Sequence, residues 1–143
     1  MGEILNDPHN LRRFVLAQAP VFEQVCSELR DGRKIGHWMW FIFPQIKGLG
    51  LSETAKHFAI SSREEAVAYL NHSILGPRLR ECARLVNFVD GLSAHQIFGG
   101  IDEMKFRSSM TLFVNATPEN GVFVDALQRY FGGAPDAATI ERM

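Results

Sequence analysis

At 143 residues, with 46% hydrophobic and 22% charged, the chain has the size and composition of one self-sufficient globular domain, which argues against disorder over any long stretch. A formal net charge of -1 leaves no overall field to draw it to nucleic acid or anionic lipid. The longest apolar run, Trp38 to Pro44, is too short to cross a bilayer.

The start, MGEILNDPHNLRR, has no apolar h-region, so no signal peptide is expected. Asp7-Pro8 predicts a helix start, with Leu11, Phe14 and Val15 at helical spacing after it. Pro20 restarts a second helix with the stripe Val21, Phe22, Val25, Cys26 and Leu29, and Asp31-Gly32 ends it. Ser62 with Glu65 reads as a capping box, followed by Ala66, Val67 and Leu70 on an inner face. Gly76-Pro77 opens the next helix, with Leu79, Cys82, Ala83, Val86 and Val89 inward. Ser93 with Gln96 repeats the capping box, and Asp102 is expected to cap a helix running to about Ala116. Thr117-Pro118 starts another, which Gly132-Gly133 stops, and Asp136 caps a short last helix. Phe41 to Phe43 could be extended, but no second strand is evident to pair with it. The predicted fold is all-α: one domain over 1–143, its core about 8–140, with about seven short helices and an aromatic non-helical crossing near 36–50. Cys26 and Cys82 fall within helices among apolar neighbours and read as buried thiols of a reducing, cytoplasmic compartment.

Three segments could carry chemistry. In Arg33 to Gln45, two Trp, two Phe and a His lie together between Gly and Pro, either lining a pocket for a planar ligand or plugging the core. His37 is the group there that exchanges a proton near neutral pH. In Lys105 to Phe113, Lys105, Ser108, Ser109 and Leu112 share one helix face. The hydroxyls could bind a phosphate or carboxylate with Lys105, act in a Ser–Lys dyad, or bond back to helix carbonyls. In Gly76 to Glu81, Arg78 beside the free amides of a helix start could bind an anion, or pair with Glu81 on the surface.

The five histidines are scattered without metal-ligand spacing, no Walker loop occurs, and the acidic residues form no recognisable dyad. Neither a metal site nor a cofactor is predicted. From Arg30 to Lys56, five basic residues (Arg30, Arg33, Lys34, Lys47, Lys56) face two acidic ones (Asp31, Glu53), a modest surplus that a solvated face explains.

HWMWFIFPQIKGLGLS (His37–Ser52), YLNHSILGPRLREC (Tyr69–Cys82) and KFRSSMTLF (Lys105–Phe113) together resemble the bacterial domain-of-unknown-function family 1810 over roughly residues 8 to 140. The resemblance implies a small all-helical domain and no particular activity. The label calpastatin that some members carry does not fit a folded chain, since such an inhibitor would be a flexible polar segment. Ser73 and Phe106 stand where the family usually has proline and leucine.

The leading expectation is that the three segments converge on one pocket for a small anionic or nucleotide-like ligand. Trp38 or Trp40 would stack, Lys105 and Arg78 would counter charge, and His37, Gln45, Ser108 and Ser109 would orient it, with Glu81 completing the candidate set. If turnover follows, His37 is the candidate catalytic group, in metal-independent hydrolysis or group transfer. The rival is a protein–protein interaction module with an exposed basic and aromatic patch at 33–47. Neither nucleic acid nor a membrane is expected as a partner.

Overall fold

The structure, a computed structural model, describes residues 6–143; residues 1–5, where part of the MGEILNDPHNLRR start and its expected lack of a signal peptide fall, lie outside it. The described residues form ten helices and no strand. In chain order they are α1 (Arg12–Gln18), α2 (Phe22–Arg30), α3 (Met39–Ile42), α4 (Glu53–His57), α5 (Arg63–Asn71), α6 (Leu75–Phe88), α7 (Ala94–Phe98), α8 (Gly100–Val114), α9 (Gly121–Phe131) and α10 (Ala137–Arg142). The fold is all-α, as the sequence predicts. The elements beyond the expected seven include α3 and α4, single turns too short to show a periodic apolar face. Phe41 to Phe43, read as a possible extended piece, instead lies largely on α3.

Local chemistry sets most boundaries. Ser52, Ser62, Ser93 and Asp136 each accept an amide of the first turn, capping α4, α5, α7 and α10. Only Ser93 completes the reciprocal box, with Gln96. Glu65 turns instead to the amide and hydroxyl of Ser61 and to Arg13, and on α5 it is Ala66 and Tyr69 that are buried while Val67 is exposed. Asp7 accepts from Leu11 and Arg12, but Asn10 at φ +50° breaks the chain there, so α1 starts at Arg12 rather than Pro8. Asp102 lies in the first turn of α8 rather than capping it, and α9 starts at Gly121, after Thr117-Pro118.

α6 and α8 form the centre. α6 packs on α2, α5 and α9, and α8 on α5, α7, α9 and α10. Thus α8 is buried on every side from Ser108 to Phe113. Phe106 meets Phe43 edge-on at 4.9 Å and stacks on Phe98 at 4.7 Å. A fully buried side chain of this kind contributes roughly 1.5–3 kcal/mol. Gly76 is required where α6 begins: a Cβ there would lie 2.1 Å from the Leu70 carbonyl oxygen of α5. Between α3 and α5, an isolated parallel bridge joins Ile46 to Ile60 and fixes the loop around α4 against the core.

Candidate functional site

The aromatic segment is positioned by one carboxylate. Glu28 on α2 is 6% exposed, and its Oε1 accepts from Ile35 N at 2.7 Å, Gly36 N at 2.9 Å and Trp38 Nε1 at 3.0 Å. Gln24 Nε2 donates to Oε2 at 2.8 Å. Burial by itself would raise the Glu28 pKa, but these donors outweigh it and hold the group down at about 2. The loop from Lys34 to Trp38 is therefore latched onto α2.

Trp38 and Trp40 then part company. Two residues on a helical turn point about 200° apart. Trp38, at the start of α3, turns inward to Glu28 and is 2% exposed. Trp40 turns to the rim and is half-buried, with the Lys105 Nζ 5.2 Å from its ring centroid. Lys34 mirrors this arrangement inside, 5.1 Å from the Trp38 ring, with its Nζ 2.8 Å from Asp102 and 2.6 Å from the Gly36 carbonyl. Asp102 also faces Lys105, at 3.8 Å. One carboxylate thus serves two ammonium groups, leaving a surplus positive charge beside Trp40.

Trp40, Gln45 and Lys105 line one cleft, walled by Met39, Phe43 and Phe58. Its centre leaves only about 10 Å³ open, the room of one water. Across Gly50 and Ala59, which line both spaces, the cleft adjoins a hollow of about 430 Å³. That hollow is bordered by Leu51 and carries Lys47, Lys56 and Ser61. Neither Lys47 nor Lys56 has a carboxylate within ion-pair distance among the described residues. Gly50 keeps this region tight, since a Cβ on it would lie 2.5 Å from that of Ala55.

Of the expected site residues the cleft brings together Trp40, Gln45 and Lys105, and the others lie elsewhere. His37 is exposed and does not line the cleft. Arg78 is spent on Gln18 Oε1, at 3.3 Å, and on the Phe22 ring, 4.8 Å from its centroid. The start of α6 has no free amide to bind an anion: Leu75 N bonds to His72 Nδ1, Gly76 N to the His72 carbonyl and Arg78 N to the Ile74 carbonyl. Pro77 has no N–H to offer. Glu81 pairs with Arg84 rather than Arg78, and that bond lowers its pKa. Ser108 Oγ lies 3.1 Å from the Met104 carbonyl and 3.0 Å from Asp136 Oδ2, tying α10 to α8. Ser109 Oγ is buried without a partner among the described residues.

Besides Glu28, two structural residues escaped the sequence reading. Gln18, 1% exposed, donates to the Phe41 carbonyl at 2.7 Å and to Tyr69 Oη at 3.0 Å, while burial pushes the Tyr69 phenol up. Arg13 donates to the carbonyls of His9, Asn10, His57 and Ala59 and pairs with Glu65 at 2.8 Å. It thereby holds the 57–59 wall of the cleft. Of the residues of the adjoining hollow, Lys47 and Lys56 had a signal in the basic surplus between Arg30 and Lys56.

A family model described as protein of unknown function (DUF1810) matches residues 8–143. Among solved structures, the chain is similar to a conserved hypothetical protein from Mycobacterium tuberculosis, known from its crystal structure. The two share 57% sequence identity with a TM-score of 0.94, over 94% of this chain and 96% of that one. No curated protein matches the chain. Among the described residues no helix is long and apolar enough to cross a membrane.

Proposed function

Because the chain belongs to the DUF1810 family of proteins of unknown function, we propose its role from the chemistry of its cleft: it binds a small anionic molecule with an apolar body. The anion meets Lys105, with Lys56 and Lys47 alongside, and the body lies over Leu51 and Ala59 against the edge of Trp40. Gln45 supplies a neutral donor and acceptor to orient the polar end. The observation that carries this reading is the preassembled Lys105–Trp40 pair, opening onto a hollow with two further lysines and no carboxylate among its lining. The hollow's volume, about 430 Å³, falls within the usual range for small-molecule sites.

The role is binding rather than turnover. No His, Cys, Asp or Glu lines the cleft or the hollow. The ligand is a carboxylate or phosphate more readily than a stacked nucleotide, because the Lys105 ammonium already covers the Trp40 ring. The rival reading, a protein-binding patch at 33–47, has exposed Ile35 and His37 in its favour but loses Trp38, which is sealed on Glu28. Free Cys26 and Cys82 support a reducing, cytoplasmic setting.

A thermal-shift screen of sugar phosphates, nucleoside monophosphates and amino acids tests the proposal. A ligand at about a hundred times its dissociation constant adds roughly 2.7 kcal/mol. The expected result is a shift for at least one anionic class, lost in Lys105→Ala and kept in His37→Ala. A shift that survives Lys105→Ala, or none from any compound, overturns it.

A further inference from the structure

The last helical turn brings a further cation to the edge of the hollow. Asp136 fixes α10 to α8: its Oδ2 accepts from Ser108 Oγ at 3.0 Å and from Thr139 N at 3.1 Å, and its own amide donates to Thr111 Oγ1 at 2.9 Å. α10 then ends at Arg142, whose side chain lies across the backbone of Gly48, a residue of the hollow's wall. A Cβ on Gly48 would stand 2.7 Å from Arg142 Nε and 3.2 Å from its Cδ. Gly48 also has φ +100°, which glycine adopts without strain, so this loop is shaped to let the guanidinium approach. Arg142 Nη1 reaches the Ala138 carbonyl at 3.3 Å, and no carboxylate lies within ion-pair distance of Arg142 among the described residues.

The cations therefore stand at two ends of one path. Lys105 lines the cleft and not the hollow, whereas Lys47 and Lys56 line the hollow and not the cleft. The two spaces meet at Gly50 and Ala59, and the surface beyond them is apolar: Leu51, 82% exposed, borders the hollow. Lys47, Lys56 and Arg142 repel one another across the hollow, and an anion seated among them relieves that repulsion. A guanidinium adds a planar fork of donors that fits a carboxylate or a phosphate. One anion resting on Lys105 leaves this second group of cations unmatched.

We propose that the ligand carries an anionic group at each end of a short apolar body, and that Arg142, with Lys47 and Lys56, receives the second group. The inference rests on the reading that the first anion meets Lys105 beside Trp40, and it narrows the ligand class to dicarboxylates and phosphorylated carboxylic acids. The first anion stays in the cleft, the apolar body crosses Gly50 and lies on Leu51, and the second anion meets the guanidinium over Gly48. Arg142 is thus a specificity-determining residue: it separates a ligand with two anions from one of equal length with a single anion.

The experiment titrates the full chain at fixed ionic strength with linear dicarboxylates of about four to eight carbons and with monocarboxylates of matching length. NMR reads the Trp40 indole N–H and the Arg142 Nε–H signals. Inorganic phosphate, a nucleoside monophosphate and an aromatic carboxylate run beside them as single-anion probes. At least one dicarboxylate is expected to bind at least about tenfold more tightly than its monocarboxylate, shifting both signals with one common affinity. Arg142→Gln, which loses the charge, and Lys47→Gln should each shrink that preference to about threefold or less. Arg84→Gln, on α6 outside both spaces, should leave it intact. Absence of the preference while a single-anion probe still moves Trp40 overturns the second subsite and leaves the Lys105–Trp40 reading standing. Two signals that titrate with different affinities overturn it as well, as does a preference that survives Arg142→Gln or that Arg84→Gln removes equally. If no compound moves Trp40, the reading and the inference fall together.

Discussion

Glu28 Oε1 accepts from Trp38 Nε1 at 3.0 Å inside the core, and through it the whole 33–38 loop is fixed to α2. The cleft depends on this latch, because anchoring Trp38 inward turns Trp40, two residues later, to the rim. Glu28→Ala leaves four donors without an acceptor, three of them on the 35–38 loop, each costing about 1–3 kcal/mol when buried. The expected loss in urea unfolding is roughly 3–5 kcal/mol, with a red shift of tryptophan emission as Trp38 meets water. A loss under ~1 kcal/mol with unchanged emission contradicts the latch.

The same group sets an acid limit. Its pKa in the folded chain, about 2, lies below its ordinary value of 4.5, so the unfolded chain takes up the proton first as pH falls. Its stabilisation, on the order of 3 kcal/mol for a shift of this size, is full above pH 4.5 and is lost as pH falls toward 2. Unfolding free energies measured across that window should converge for wild type and Glu28→Gln. A constant difference between them would show that ionisation of Glu28 contributes nothing.

Arg13 and Glu65 form a partly covered pair, with side chains 11% and 4% exposed. Removing one partner of such a pair costs about 3–5 kcal/mol, since the other charge is left behind. Arg13→Ala is expected to fall in that range by denaturant titration. Arg13→Lys should recover little of it, because an ammonium cannot span the carbonyls that the guanidinium fork reaches. Full recovery by lysine would mean that charge alone matters there.

Gly76 and Gly121 give a paired backbone test. Alanine at Gly76 drives its Cβ into the Leu70 carbonyl, and overpacking of this kind costs about 1–3 kcal/mol or more. Alanine at Gly121 meets nothing within 4 Å in the first turn of α9 and should be neutral or stabilising by up to about 1 kcal/mol. Thermal melts of the two variants should move in opposite directions, or at least one only. Equal losses contradict the close approach of α5 and α6.

What the sequence discloses follows the range of the interactions. The caps at Ser93 and Asp136 and the stop at Gly132-Gly133 are legible because each is closed within a few residues. The separate directions of Trp38 and Trp40 are not, because α3 is one turn and the inward choice is made by Glu28, ten residues earlier. Arg78 looks like a ligand-binding arginine until Gln18, sixty residues before it, is brought alongside. Its supposed anion site at a helix start was closed by His72, a side-chain cap of an unusual type. Of the cleft, Trp40, Gln45 and Lys105 could be named from composition and helical spacing. Lys47 and Lys56 read as a solvated face until the loop around α4 was seen to fold back onto the core.

The central claim is that a small anion binds beside Trp40 while Trp38 stays sealed. The most direct measurement follows the two indole N–H resonances by ¹H–¹⁵N NMR during titration with inorganic phosphate, a nucleoside monophosphate and an aromatic carboxylate. The account predicts a saturable shift of the Trp40 resonance with at least one of these, a still Trp38 resonance, and affinity at least about tenfold weaker (roughly 1.4 kcal/mol) in Lys105→Ala. A Trp40 resonance that none of the three moves, or one that moves equally in Lys105→Ala, contradicts it.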